Sequence, residues 1–147
     1  MSPEDAKAII REHAEVLFNQ HRVDRTDETV APDYLDHAPI PGQEPGLAGA
    51  KKKWAMYLTA IPDLHVVIEE MVAEGDKVAV QWTGQGTHRA ELFGIPPTNK
   101  PVRLSGISIY RVADGKIAEQ QEQWDRLALL QQLGVLPPVG SKPAAGR

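Results

Sequence analysis

The chain has 147 residues, 41% of them hydrophobic and 24% charged, with a net charge of −4 and no cysteine. This is the size and make-up of one soluble globular domain, long enough to fold without metal or disulfide staples. The acidic balance offers no footprint for nucleic acid, the missing thiols exclude disulfides and cysteine nucleophiles, and no apolar run reaches the ~20 residues of a membrane span.

Met1-Ser2-Pro3-Glu4-Asp5 lacks the basic-then-apolar order of a signal peptide, so a cytoplasmic protein is expected. Ser2 is suited to cap a helix, Pro3 to its first position, and Glu4 and Asp5 to the positive end of its dipole. Ile9, Ile10, His13, Val16 and Leu17 then recur at helical spacing and predict one apolar stripe. Residues 24–31 read as a short second helix ended by Pro32-Asp33. Residues 38–46 hold three prolines and two glycines, which is a loop composition. A third helix over 47–60 offers Leu47, Trp54, Leu58 and Ile61 for burial, and Lys51-Lys52-Lys53 reads as its solvated face.

After Pro62 the apolar period changes from helix to strand. Leu64–Ala73 and Lys77–Thr83 are strands joined by a tight turn at Glu74-Gly75-Asp76-Lys77. Val102–Val112 and Ile117–Trp124 form a second hairpin around Ala113-Asp114-Gly115-Lys116. A closing helix runs from Asp125 to Leu133 and stops at Gly134. The order predicts an α+β domain over 1–136, with a flexible tail over 137–147. Helices across a strongly curved antiparallel sheet enclose a cone-shaped pocket, the natural place for a small ligand.

Asp125 has two readings. As the first residue of the last helix it caps that helix, which lowers its pKa; beside Trp124 in a closed cavity it would be desolvated, which raises the pKa toward general acid/base use. His37 and His88 lie at loop–strand junctions, where site residues gather, whereas His13 and His65 read as structural. No His spacing suits zinc or iron, so no metal is expected. The strand Glu119-Gln120-Gln121-Glu122-Gln123-Trp124 is polar on both faces. Counting by twos, Gln121, Gln123 and Asp125 line the cavity; a bulge would exchange the faces. No phosphate loop, dinucleotide fingerprint or Gly-x-Ser-x-Gly elbow is present, and no cofactor is expected.

His37-Ala38-Pro39, Ile61-Pro62-Asp63-Leu64, Gly86-Thr87-His88, Phe93-Gly94-Ile95-Pro96-Pro97-Thr98, Asp114-Gly115-Lys116-Ile117 and Leu129-Leu130-Gln131-Gln132-Leu133-Gly134 stand in an order that resembles the SnoaL-like polyketide cyclases, also known as ester cyclases. The resemblance covers roughly residues 5–136 and implies the cone-shaped fold of nuclear transport factor 2 and ketosteroid isomerase. It implies metal-free, cofactor-free ring closure by an intramolecular aldol reaction, with Asp125 as the matching general acid/base. It further implies association into homodimers or homotetramers through the sheet faces. The chain departs from the family in having Gln120-Gln121 where relatives often carry His-Trp, which implies a different pocket polarity.

The leading expectation is a cofactor-independent cyclase, a lyase or isomerase acting on a hydrophobic or aromatic carbonyl compound. Asp125 would be catalytic, with His37, His88, Gln121, Gln123, Trp54 and Trp124 binding substrate. An epoxide hydrolase or ketosteroid-type isomerase is the second reading; the hydrolase would need a buried arginine between carboxylates, from Arg103 or Arg111. A non-enzymatic ligand-binding protein is the third, favoured if Asp125 caps its helix and faces solvent.

Overall fold

The computed structural model describes residues 1–138 and 140, so most of the tail assigned to 137–147 lies outside the described residues. Helix α1 spans Pro3–Ala14 and widens into a π-helical turn, Glu15–Asn19. Its start is the predicted one. The Ser2 hydroxyl accepts from the Asp5 amide at 3.1 Å, and the Asp5 carboxylate accepts from the Ser2 amide at 3.1 Å. The other end is docked by Asn19, whose amide side chain donates to Val66 O at 3.0 Å and accepts from Val66 N at 2.7 Å.

Five strands follow the order β1 (Val30–Asp36), β5 (Lys116–Trp124), β4 (Pro101–Ala113), β3 (Lys77–Thr87), β2 (His65–Glu74) across one sheet. Helix α2 (Gly46–Ala60) links β1 to β2, and α3 (Arg126–Gln132) follows β5. The hairpin turns fall where the sequence predicts them. The short helix expected over 24–31 is a 3-10 helix, Val23–Glu28, and it ends earlier than expected because β1 begins at Val30. Pro32 stops a helix but not this strand, because β1 is an edge strand and has only one neighbour to serve with N–H groups. β1 pairs with β5 in parallel, so the sheet is mixed rather than wholly antiparallel.

Three register shifts interrupt the sheet. One lies in β1 between Val30 and Leu35 and one in β2 between Ile68 and Glu70; the third lies in β5, where Arg111 faces Glu119 but Val112 faces Ile117, leaving Ala118 unpaired. The concave face is closed by α1 against β2 and β3 and by α2 against β1. Ile10, Leu17, Val30, Ile61, Ile117 and Leu129 form the driest part of the core. The convex face leaves Val72, Ile107 and Ile109 exposed.

His13 sits inside this core, edge-on to Trp54 and Tyr110, and burial pushes its pKa down to about 4. The unfolded chain takes up that proton near pH 6.5. The resulting stability is complete above 6.5 and lost as the pH falls toward 4, a drop of about 3 kcal/mol by linkage. Urea unfolding of the parent and of a His13→Phe variant across pH 4 to 7 checks this: the variant should lack that part of the acid slope.

Candidate active site

The hollow under α1 and α2 measures about 80 Å³ and is walled by Phe18, Trp54, Tyr57, Val80, Trp82 and Leu104 among others. At its floor lie three residues of the last two strands: Tyr110, Gln120 and Glu122. Glu122 is the one carboxylate among the described residues that line the hollow.

The bulge at Ala118 explains why. Ile117 points inward with no exposure, and strict alternation from there would bring Glu119, Gln121 and Gln123 inward too. The unpaired residue resets the alternation, so Gln120, Glu122 and Trp124 face the hollow instead. Gln121 and Gln123 are on the exposed face, contrary to the period-two expectation.

Asp125 is also displaced from its expected place. It is exposed, and its Oδ1 accepts from the Ala128 amide at 2.9 Å, capping α3. The backbone turn that starts the helix carries the carboxylate away from the hollow. His37 is on the surface with its ring against the Glu119 carboxylate, which Arg111 also holds at 2.8 Å. His88 is fully buried but belongs to the 88–100 loop: its Nδ1 accepts from the Thr98 amide at 3.2 Å, and it does not line the hollow. Trp54 and Trp124 do line it. No arginine does so among the described residues; Arg103 is exposed, so the arginine-centred cluster of a hydrolase is not assembled there.

A hydrogen-bond chain holds Glu122. Tyr34 donates to Gln120 Oε1 at 2.5 Å. Gln120 Nε2 donates to Glu122 Oε2 at 2.8 Å, and the Ser108 hydroxyl donates to the same oxygen at 2.9 Å. Ser108 in turn accepts from the Trp82 indole at 3.2 Å. Oε1 takes no hydrogen bond among the described residues. Desolvation raises the Glu122 pKa and outweighs the lowering by Ser108 and Lys53. Tyr110 and Tyr34 are raised as well, chiefly by burial, and stay protonated. Gly106 makes this crowding possible: a Cβ there would stand 2.6 Å from the Trp82 ring and 2.8 Å from Trp124 Cβ.

The basic run on α2 divides. Lys52 is exposed, but Lys53 is buried and lines the hollow, with its ammonium on Asp36 Oδ2 and, at 3.1 Å, on Ala38 O. Lys53 lies three residues after Ala50 and four before Tyr57, on the inward stripe; that spacing was the signal available in the sequence. Phe93 stacks on Trp124, with Tyr57 edge-on to both, and the cluster runs from the wall of the hollow to the surface, where Phe93 is 44% exposed. Among the described residues no group of three or more His, Asp or Glu is placed to hold a metal ion, and no helix is long and apolar enough to cross a membrane.

A mixed curved sheet closed by helices over a hollow with a single desolvated carboxylate defines a pocket domain of the nuclear transport factor 2 class. Within that class the chain belongs to the SnoaL-like polyketide cyclase family, whose profile matches residues 7–133. It is 31% identical over 122 residues to the nogalonic acid methyl ester cyclase of Streptomyces nogalater, covering 80% of this chain and 89% of that one. Among solved structures, TsrD from Streptomyces laurentii superposes with a TM-score of 0.84 at 26% identity, over 92% of this chain and 99% of its own. IdmH from Streptomyces antibioticus superposes with a TM-score of 0.75 at 30% identity, over 92% and 100%.

Proposed function

We propose that the protein is a cofactor-independent cyclase that closes a ring in a small enolisable carbonyl compound, with Glu122 rather than Asp125 as general acid/base. The observation that carries this reading is the position of Glu122: alone among carboxylates in a water-poor hollow, raised in pKa by burial, with one oxygen held and the other free. A carboxyl group poised in this way exchanges protons with carbon acids near neutral pH. Glu122 takes the α-proton. The enolate carbon forms the new C–C bond to a second carbonyl of the same molecule, whose oxygen becomes an alkoxide. The proton on Glu122 then returns to that oxygen, so the step balances without an oxidant or added water.

The hollow is narrow beside the few hundred Å³ of ordinary ligand sites, so only the reacting ring edge enters it. The rest of a flat substrate leaves past the Tyr57–Phe93–Trp124 cluster, where aromatic surfaces suit a conjugated ligand. Nogalonic acid methyl ester, named for the curated relative, is the first compound to try. Incubated with the protein in D₂O, it should exchange its α-proton and cyclise, both followed by NMR. If neither it nor smaller aromatic β-dicarbonyls exchange faster than in buffer, the cyclase reading fails and a ligand-binding role takes its place.

Self-association is proposed through the convex face, where Val72, Ala79, Ile109 and Gln121 stand in one cross-strand row and Ile107 lies between Gln81 and Gln123. Placing charge there, as Ile107→Asp/Ile109→Asp, should turn a dimer or tetramer into a monomer without touching the hollow. Sedimentation velocity reads the result; a parent chain that is already monomeric removes the proposal.

A further inference from the structure

Lys53 is an expensive residue to bury. Its side chain is 7% exposed, and the apolar walls give its charge no water. Its ion-pair partner, Asp36, is not part of the lining but stands behind it, on β1. Asp36 is fully engaged: Oδ1 accepts from the Ala38 amide at 2.8 Å, and Oδ2 accepts from Gln43 at 3.0 Å and from Lys53. The Lys53 ammonium has three donors, and two are spent, on Asp36 and on Ala38 O. Asp36, Ala38 and Gln43 thus act as a socket for an ammonium that keeps one N–H unspent, on a side chain that lines the hollow Glu122 shares.

We propose that Lys53 is an oxyanion-holding residue, so that the hollow takes a ligand whose reacting carbonyl oxygen becomes an enolate or phenolate-like anion beside the Lys53 ammonium. This inference rests on Glu122 being the base, and it deepens that reading. With a neutral substrate bound, the charged groups are Asp36, Lys53 and ionised Glu122. After proton transfer they are Asp36, Lys53 and the substrate oxygen. The net charge of the hollow is −1 in both states, and the negative charge only moves from one neighbour of Lys53 to another. A fixed cation that serves both ends lowers the cost of enolate formation without solvent rearrangement. Delocalisation into the substrate's own ring system then has a charged partner in the protein. Asp36 is a positioning residue in this scheme, acting through Lys53.

A purely structural ion pair, tying the 37–45 loop to α2, would give the same contacts, so the test needs a readout that such a role does not move. The probe is 4-nitrophenol, whose visible band reports its ionisation, with 4-nitroanisole as the neutral match. The background is Glu122→Gln, which stands for the protonated carboxyl and removes turnover from the measurement. There the bound 4-nitrophenol should ionise about one pH unit below the free compound, which is about tenfold tighter binding of the phenolate. Adding Asp36→Asn/Lys53→Met removes both charges together and leaves no unpaired buried ion to unfold the chain. In that variant the pKa drop should vanish, while 4-nitroanisole affinity stays within about twofold, since only the ion pair has been removed and the neutral probe gains nothing from it. A phenolate preference that survives the double substitution overturns the proposal. So does an unshifted probe pKa in the Glu122→Gln background, or failure of both probes to bind. None of these outcomes bears on Glu122 itself, whose role is judged by the α-proton exchange of the parent against Glu122→Gln.

Discussion

Glu122→Gln is expected to lower the turnover of ring closure by about 10²–10⁴-fold, the usual share of a positioned general acid/base, with substrate affinity little changed. The amide keeps the shape and can still accept from Ser108 and Gln120. Asp125→Ala is the matched control. It should cost about 1 kcal/mol of stability through loss of the α3 cap and leave turnover near the parent value. The opposite ranking would return the chemistry to Asp125. Stability supplies a second signature. The folded chain binds the Glu122 proton more tightly than the unfolded chain, whose carboxyl titrates near 4.5. The group therefore costs nothing below that pH and destabilises progressively as the pH rises through its elevated folded-state value. Glu122→Gln should unfold at higher urea than the parent at pH 8 and at the same urea at pH 4. His13 tilts the acid range the other way, but it is common to both chains and cancels in the comparison.

The second large effect is expected at Gly49. A Cβ on this residue would stand 1.7 Å from Glu44 O and 2.6 Å from Glu44 C, backbone atoms that cannot rotate aside. The loop before α2 crosses the helix at van der Waals contact, and only a missing side chain permits it. Gly49→Ala should lose about 3 kcal/mol in urea unfolding, the upper end of overpacking costs. The damage should reach the hollow, because the same loop carries Gln43 and Ala38 to Asp36. Gly84→Ala, whose Cβ would meet side chains at 3.4 Å and beyond, is the near-neutral comparison. Equal stability for Gly49→Ala and the parent would mean that Glu44 does not lie over the helix.

Most of the fold was legible in the chain's periodicity and punctuation. Ser2, Pro3, the 38–46 loop, the two hairpin turns and Gly134 all act locally, and local signals survive in a linear text. β1 was hidden because Pro32 reads as a stop, and its tolerance depends on having no neighbour on one side, a fact about the whole sheet. The site was harder for a related reason. Alternation along β5 names the correct face only if no residue is skipped, and the skipped Ala118 is visible only against the register of β4. That single offset exchanged Gln121, Gln123 and Asp125 for Gln120, Glu122 and Trp124. Lys53 was lost by reading three lysines as one face, although neighbours on a helix point about 100° apart. Trp54 and Trp124 line the hollow, as bulky aromatics have few other places to go.

The parallel pairing of β1 with β5 has a consequence for the order in which the molecule is made. Val30 meets Ile117, and Asp36 meets Gln120, across more than half the chain. During synthesis β1 leaves the ribosome long before its only partner exists. The β2–β3 and β4–β5 hairpins are closed by short turns, β3 and β4 are joined by the 88–100 loop, and these four strands can pair among themselves as they emerge, whereas β1 must wait. Its wait exposes Val30 and Tyr34, which end up buried. The Tyr34–Gln120 bond is therefore expected to be among the last made, so the nascent chain completes the floor of its hollow only at the end of folding, when an unpaired edge is most open to misassociation.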